Sequence, residues 1–91
     1  MEIEEVFSSK SRMKILRVLH KLGQLTVSDI GRYININYSA TDKHLRLLES
    51  EGILKQYLFG QRIRMYSFNE TSEKAKSIQT LIQVWEQQNK H

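Results

Sequence analysis

Gly52 separates two hydrophobic rhythms, and that change of period limits the possible folds more than any other feature of the chain. Before it, apolar residues recur at spacings of three and four, as on helices with one buried face. After it, Ile53-Leu54-Lys55-Gln56-Tyr57-Leu58-Phe59 is rich in strand formers, Gly60-Gln61 is a turn signal, and Arg62-Ile63-Arg64-Met65-Tyr66-Ser67-Phe68 alternates. The helical spacing then returns. The expected architecture is mainly α with a small β-hairpin, in the order α-α-α-β-β-α.

The helices can be bounded from their punctuation. Residues 10–22 carry Ile15, Leu16, Leu19 and Leu22 on one face, widened by Met13 and Val18. Ser8 or Ser9 can cap the start and Gly23 can end it. Ile3, Val6 and Phe7 have helical spacing and could extend it at the front. Thr26 and Asp29 stand as in a capping box ahead of a short helix, 27–34, with Val27, Ile30 and Ile34 inward. Gly31 inside it suggests close packing. Asn35-Ile36-Asn37 breaks the pattern, and Asn37 is a candidate N-cap. The next helix, about 38–51, has a stripe of Thr41, Leu45 and Leu48, with Leu47 beside it, and stops at Gly52. Ser72 caps a last helix to about residue 89 or 90, on which Ala75, Ile78, Leu81, Ile82 and Trp85 follow the helical spacing.

Two short helices joined by a tight turn and followed by a basic hairpin describe a winged helix-turn-helix, whose second helix enters a DNA major groove. With Thr41, Leu45 and Leu48 inward, the outward side of 38–46 holds Tyr38, Ser39, Asp42, Lys43 and Arg46. Hydroxyls bond phosphate or base edges, Lys43 and Arg46 suit phosphate or guanine, and Asp42 can accept from cytosine N4. Asn37 opens the same face. Arg62 near the hairpin tip can meet a phosphate or the minor groove, with Arg64 nearer the protein body.

Charge agrees with a polyanionic partner without demanding one. The net charge is +4, and it is uneven: residues 8–28 hold Lys10, Arg12, Lys14, Arg17 and Lys21 with no acid, and residues 53–69 hold Lys55, Arg62 and Arg64 with none. These two blocks could meet in space, or could be solvated helix faces.

Other function classes find little support. Ninety-one residues suit one domain. The absence of cysteine excludes disulfides, Cys-ligated zinc and thiol catalysis, and fits a reducing cytoplasm. No apolar run is long enough to span a membrane, and the acidic start, Met1-Glu2-Ile3-Glu4-Glu5, is not a signal peptide. There is no Gly-rich phosphate loop and no nucleophile with an evident base, so an enzyme is not expected. His20, His44 and His91 lack metal spacing, so neither a metal nor another cofactor is expected. No residue names a small-molecule effector.

The segment from Thr26-Val27-Ser28-Asp29-Ile30 through Asn37-Tyr38-Ser39-Ala40-Thr41-Asp42-Lys43-His44-Leu45-Arg46-Leu47-Leu48-Glu49-Ser50-Glu51-Gly52-Ile53-Leu54 resembles the ArsR-type winged-helix regulators. Gly60, Arg62, Arg64, Tyr66 and Phe68 resemble that family's wing. The likeness covers about residues 10–70, and MarR-type and small archaeal winged-helix regulators share much of it. It implies a DNA-binding regulator, with His44 matching the family's helix histidine in a packing or phosphate-contact role. Two features depart from the pattern. Asp42 stands where the family usually has Ser. The metal-sensing motifs are missing, since there is no Cys-x-Cys and residues 72–90 hold no His or Asp.

In the family it resembles, the terminal helices form a dimer interface. The resemblance therefore implies a homodimer, with Ile3, Val6, Phe7, Ile78, Leu81, Ile82 and Trp85 as the interface and the helix 72–90 as the dimerisation element of a single domain, 1–91. Trp85 and its neighbours could instead only cap the monomer's own core. The expected function is a sequence-specific, homodimeric double-stranded DNA-binding transcriptional regulator. The alternatives are a winged-helix protein–protein module and a non-specific architectural DNA binder.

Overall fold

The computed structural model describes residues 1–89. Lys90 and His91, and with them the last residue of the expected dimerisation helix, lie outside the described residues. The elements are α1 (Ile3–Phe7), α2 (Lys10–Leu22), β1 (Gln24–Thr26), α3 (Val27–Ile34), α4 (Tyr38–Ser50), β2 (Leu54–Phe59), β3 (Ile63–Phe68) and α5 (Glu73–Gln88).

Four helix starts are fixed by the same device. The side chains of Ser9, Thr26, Asn37 and Ser72 accept from the backbone N–H of Arg12, Asp29, Ala40 and Ala75 at 3.2, 3.1, 2.8 and 3.2 Å. Each such cap satisfies an otherwise orphaned donor and contributes about 1 kcal/mol. α2 ends at Gly23, whose φ of 92° only glycine adopts without strain. The front segment is a separate helix rather than an extension of α2, because Ser9 takes an extended conformation in order to cap α2.

The sheet has three strands, not two. β3 is central and antiparallel to both neighbours, in the order β1-β3-β2. β1 places Gln24, Leu25 and Thr26 opposite Ser67, Tyr66 and Met65. Three residues cannot display a period, and Thr26 is also the cap of α3, so this strand leaves no alternation in the sequence. Its effect on the site is direct: it pins the base of the wing from the side opposite β2.

Ile15, Leu16, Leu19, Ile30, Leu45, Leu48, Ile53, Leu54 and Tyr66 form the fully buried centre, and Leu22 is exposed rather than part of it. Gly31 is the close-packing point between α3 and α4: a Cβ there would lie 3.0 Å from both Ile36 O and Thr41 Oγ1. No described helix is long and apolar enough to cross a membrane.

Candidate nucleic-acid interface

α4 buries Thr41, Leu45 and Leu48 and turns its other side to solvent. Tyr38, Ser39 and Lys43 stand exposed on its first two turns, and their side chains make no hydrogen bond or ion pair among the described residues. These groups are free to meet a ligand at the helix N-terminus, where the backbone dipole favours anions. Asn37 is exposed beside them, but its Oδ1 is committed to the cap on Ala40.

Asp42, expected as an outward acceptor, is engaged within the chain. Its Oδ2 accepts from Arg46 Nε at 2.9 Å, and its Oδ1 accepts from Arg64 Nη2 of β3. Both oxygens are thus occupied within the chain. Arg64 also donates from Nε to Gln56 Oε1 at 2.6 Å and lies 5.9 Å from the Tyr66 ring centroid. Tyr66 in turn donates to Glu49 Oε1 of α4 at 3.3 Å. A polar seam therefore joins α4 to the wing, with Asp42 at one end and Glu49 at the other. Arg64, like Asp42, belongs to this seam rather than to a free surface, while Arg46 keeps its side chain mostly in solvent.

The titration states fit. The bond from Arg46 first, and that from Arg64 after it, holds the Asp42 carboxyl below its ordinary range, against the opposing effect of burial. A depressed folded value means the clamp is fully present at neutral pH and is lost only as pH falls through that value. Arg64 is raised by the Asp42 bond, and burial raises Tyr66, which keeps its proton for Glu49.

His44 faces inward along α2. Arg12 Nη1 lies 3.1 Å from His44 Nδ1, and Arg12 Nη2 donates to Glu5 O at 2.6 Å. A guanidinium can only donate, so Nδ1 is the acceptor and the ring is neutral. Burial, then the charge of Arg12, lowers the histidine's pKa. His44 is a joint between α2 and α4, in keeping with the packing role among the two expected for it. Arg12 and Gln56 carry no local signal in the sequence. They matter because packing brings Arg12 to a partner 32 positions away and Gln56 to one 8 positions away.

The cations of the two basic blocks are in part committed within the chain. Arg12 goes to His44, Arg17 pairs with Glu86 of α5 at 2.7 Å, and Lys55 pairs with Glu70 at 2.6 Å. Lys43 on α4 and Arg62 in the turn of the wing make no ion pair among the described residues. No cluster of three or more metal-ligating side chains occurs there either.

The residues expected at a dimer interface divide. Val6, Ile78 and Ile82 pack mainly into the chain's own core, and Phe7 is partly buried against that core. Ile3 and Trp85 are 67% and 65% exposed, and Leu81 and Val84 are exposed beside them.

Comparison with known proteins follows this geometry. The family model for bacterial regulatory proteins of the arsR family matches residues 9–56, more than half of the chain. YdgJ of Bacillus subtilis (strain 168), an uncharacterised HTH-type transcriptional regulator, is 33% identical over 48 residues, which cover 53% of this chain and 29% of that protein. The chain thus matches less than a third of that relative's length. Among solved structures, the homodimeric winged helix-turn-helix DNA-binding domain Mb0332 of Mycobacterium bovis superposes with a TM-score of 0.73 at 21% identity, over 96% of this chain and 77% of that one. The adhesin competence repressor AdcR of Streptococcus pyogenes gives 0.75 at 19% identity, over 94% of this chain and 61% of that one. At these identities the structures establish the fold, a winged helix-turn-helix, and the match over residues 9–56 establishes the family: the chain belongs to the arsR family of bacterial regulatory proteins.

Proposed function

We propose that this chain is a sequence-specific regulator that binds double-stranded DNA as a homodimer, with α4 in the major groove and the wing on the adjacent backbone or minor groove. The observation that carries the reading is the uncommitted group of Tyr38, Ser39 and Lys43 at the exposed start of α4, beside a wing tied to the same helix through Asp42 and Arg64. Recognition helices present their N-terminal residues to base edges in this way. A protein–protein module would not need that placement, or a cation at the tip of the wing.

Support for the homodimer comes from the other end of the molecule. A groove of about 520 Å³ runs between α1 and α5, lined by Ile3, Val6, Phe7, Ile53, Ile78 and Leu81. Exposed Trp85 and Val84 continue its apolar surface along α5. A patch of this kind marks an association site, and Mb0332, which shares the fold, is homodimeric.

Replacing Ser39 or Lys43 by Ala should weaken binding to a selected site by about 1–3 kcal/mol and affect random duplex much less. Titration of both duplexes checks this, and equal losses on the two would make the contacts phosphate contacts only.

Asp42→Ser should act in the opposite sense. It releases Arg46 and Arg64 from their shared carboxylate and removes a negative charge from the helix face. Affinity for random duplex should rise, and the slope of log K against log salt should steepen by about one to two per protomer. An unchanged slope would mean that the two arginines stay bound to other groups of the chain.

A further inference from the structure

The far end of the wing is more apolar than a free hairpin tip needs to be. Leu58, Phe59 and Ile63 are 60%, 65% and 48% exposed there, and none of them packs into the core. Phe59 lies directly opposite Ile63 in the ladder, and Leu58 lies opposite Arg64. Facing residues share one side of a ribbon. One side of the tip therefore shows Phe59 with Ile63, and the other shows Leu58 beside the anchored Arg64. Arg62 occupies the turn between the strands, exposed, and the stretch 53–69 contains no acid.

This end is also held in place. β1 and β2 both pair with β3 at its base, Met65–Ser67, β2 alone pairs with it at Ile63 and Arg64, and Arg64 is bonded to Asp42 of α4 and to Gln56 of β2. The tip is thus carried at a set offset from the recognition helix, on the same DNA-binding unit. An apolar pair flanking a single cation on a rigid ribbon has the composition of a minor-groove wedge. Such wedges place Phe, Leu or Ile against or between base steps and bend the duplex towards the major groove.

We propose that the wing tip is a DNA wedge: Arg62 seats on the backbone or in the minor groove flanking the α4 contact, and Phe59 with Ile63 presses into the adjacent base step and kinks it. This rests on the DNA-binding reading above and adds a deformation to it. The occupant is duplex DNA because the wing is tied to α4 through Arg64 and Asp42 and carries at its turn Arg62, a cation with no ion pair among the described residues. The step it favours is a flexible pyrimidine–purine step, TA or CA/TG, since these unstack most easily. The wedge would thus select sequence at flanking positions where no side chain reads a base edge.

The test uses a duplex carrying the selected site, with fluorophores at its ends for energy transfer and 2-aminopurine at the flanking step. The wild-type complex should shorten the end-to-end distance and raise 2-aminopurine emission. Phe59→Ala with Ile63→Ala should abolish both signals and lower affinity about tenfold, with the salt slope unchanged. Arg62→Ala should lower the slope by about one per protomer. All of these side chains are exposed, so an unchanged thermal melt confirms that the variants are folded. A wild-type complex that is tight but straight, or a double variant that bends DNA as the wild type does, overturns the wedge and leaves the DNA-binding reading intact. Wild-type protein that binds no duplex overturns both. A double variant that keeps its DNA binding but loses adsorption to anionic phosphatidylserine vesicles assigns the tip to a lipid surface and also overturns the wedge.

Discussion

Leu81→Asp combined with Trp85→Ala should leave a monomer whose affinity for a two-fold DNA site is lower by a factor of about 10²–10⁴. Both side chains are exposed on α5, so the substitutions remove surface without opening the core. Ile78 is a poor choice for the same purpose, because it is buried in the chain's own core and its truncation would lower stability first. A large aromatic anchor carries a disproportionate share of an interface, and a carboxylate at its edge would have to be desolvated on association. Loss of the dimer separates the two recognition helices, and the second half-site is then no longer bound at high effective concentration. Sedimentation velocity and titration on a two-fold site check the two parts. A double variant that still sediments as a dimer would place the interface elsewhere on the molecule.

Gly31→Val is expected to cost about 2–3 kcal/mol. Even a first carbon at this position would stand 3.0 Å from Ile36 O and 3.0 Å from Thr41 Oγ1. Neither neighbour can retreat easily. Thr41 Oγ1 donates to Asn37 O at 2.8 Å, and Ile36 N donates to Gly31 O at 3.1 Å. The added atoms must therefore push α4 away from α3, which also moves Tyr38, Ser39 and Lys43 relative to the wing. For a domain of this size the melting temperature should fall by about 10–20 °C, and Gly31→Ala should show the same sign with a smaller drop. A melt unchanged from wild type would show that the turn between the two helices yields without cost.

Local signals made most of the fold legible. Ser9, Thr26, Asn37 and Ser72 announce helix starts because the cap acts within three residues of itself, and Gly23 and Gly52 announce stops because their positive φ suits glycine. The stripe Thr41, Leu45, Leu48 shows which side of α4 is left for a ligand, and all three are buried. What stayed hidden depends on packing between distant segments. β1 is too short to show a period and is stabilised by β3, some forty positions later. Asp42, Arg64 and His44 have the chemistry of DNA contacts; Arg46 stands four residues after Asp42 on the same helix, but nothing local reveals that Arg64 reaches Asp42 or that Arg12 reaches His44. On α5 the same helical spacing serves two faces: Ile78 and Ile82 turn to the core, whereas Leu81 and Trp85 turn to solvent. Spacing alone merges them into one stripe.

The central claim is sequence-specific recognition by a pair of α4 helices, and selection of bound fragments from a random duplex pool tests it most directly. The account predicts a two-fold symmetric motif, with half-sites separated by about one helical turn, 10–10.5 base pairs from centre to centre, or a multiple of it. Recovery of unenriched sequences, with affinity that depends on salt but not on sequence, would contradict it and make the protein a non-specific DNA binder.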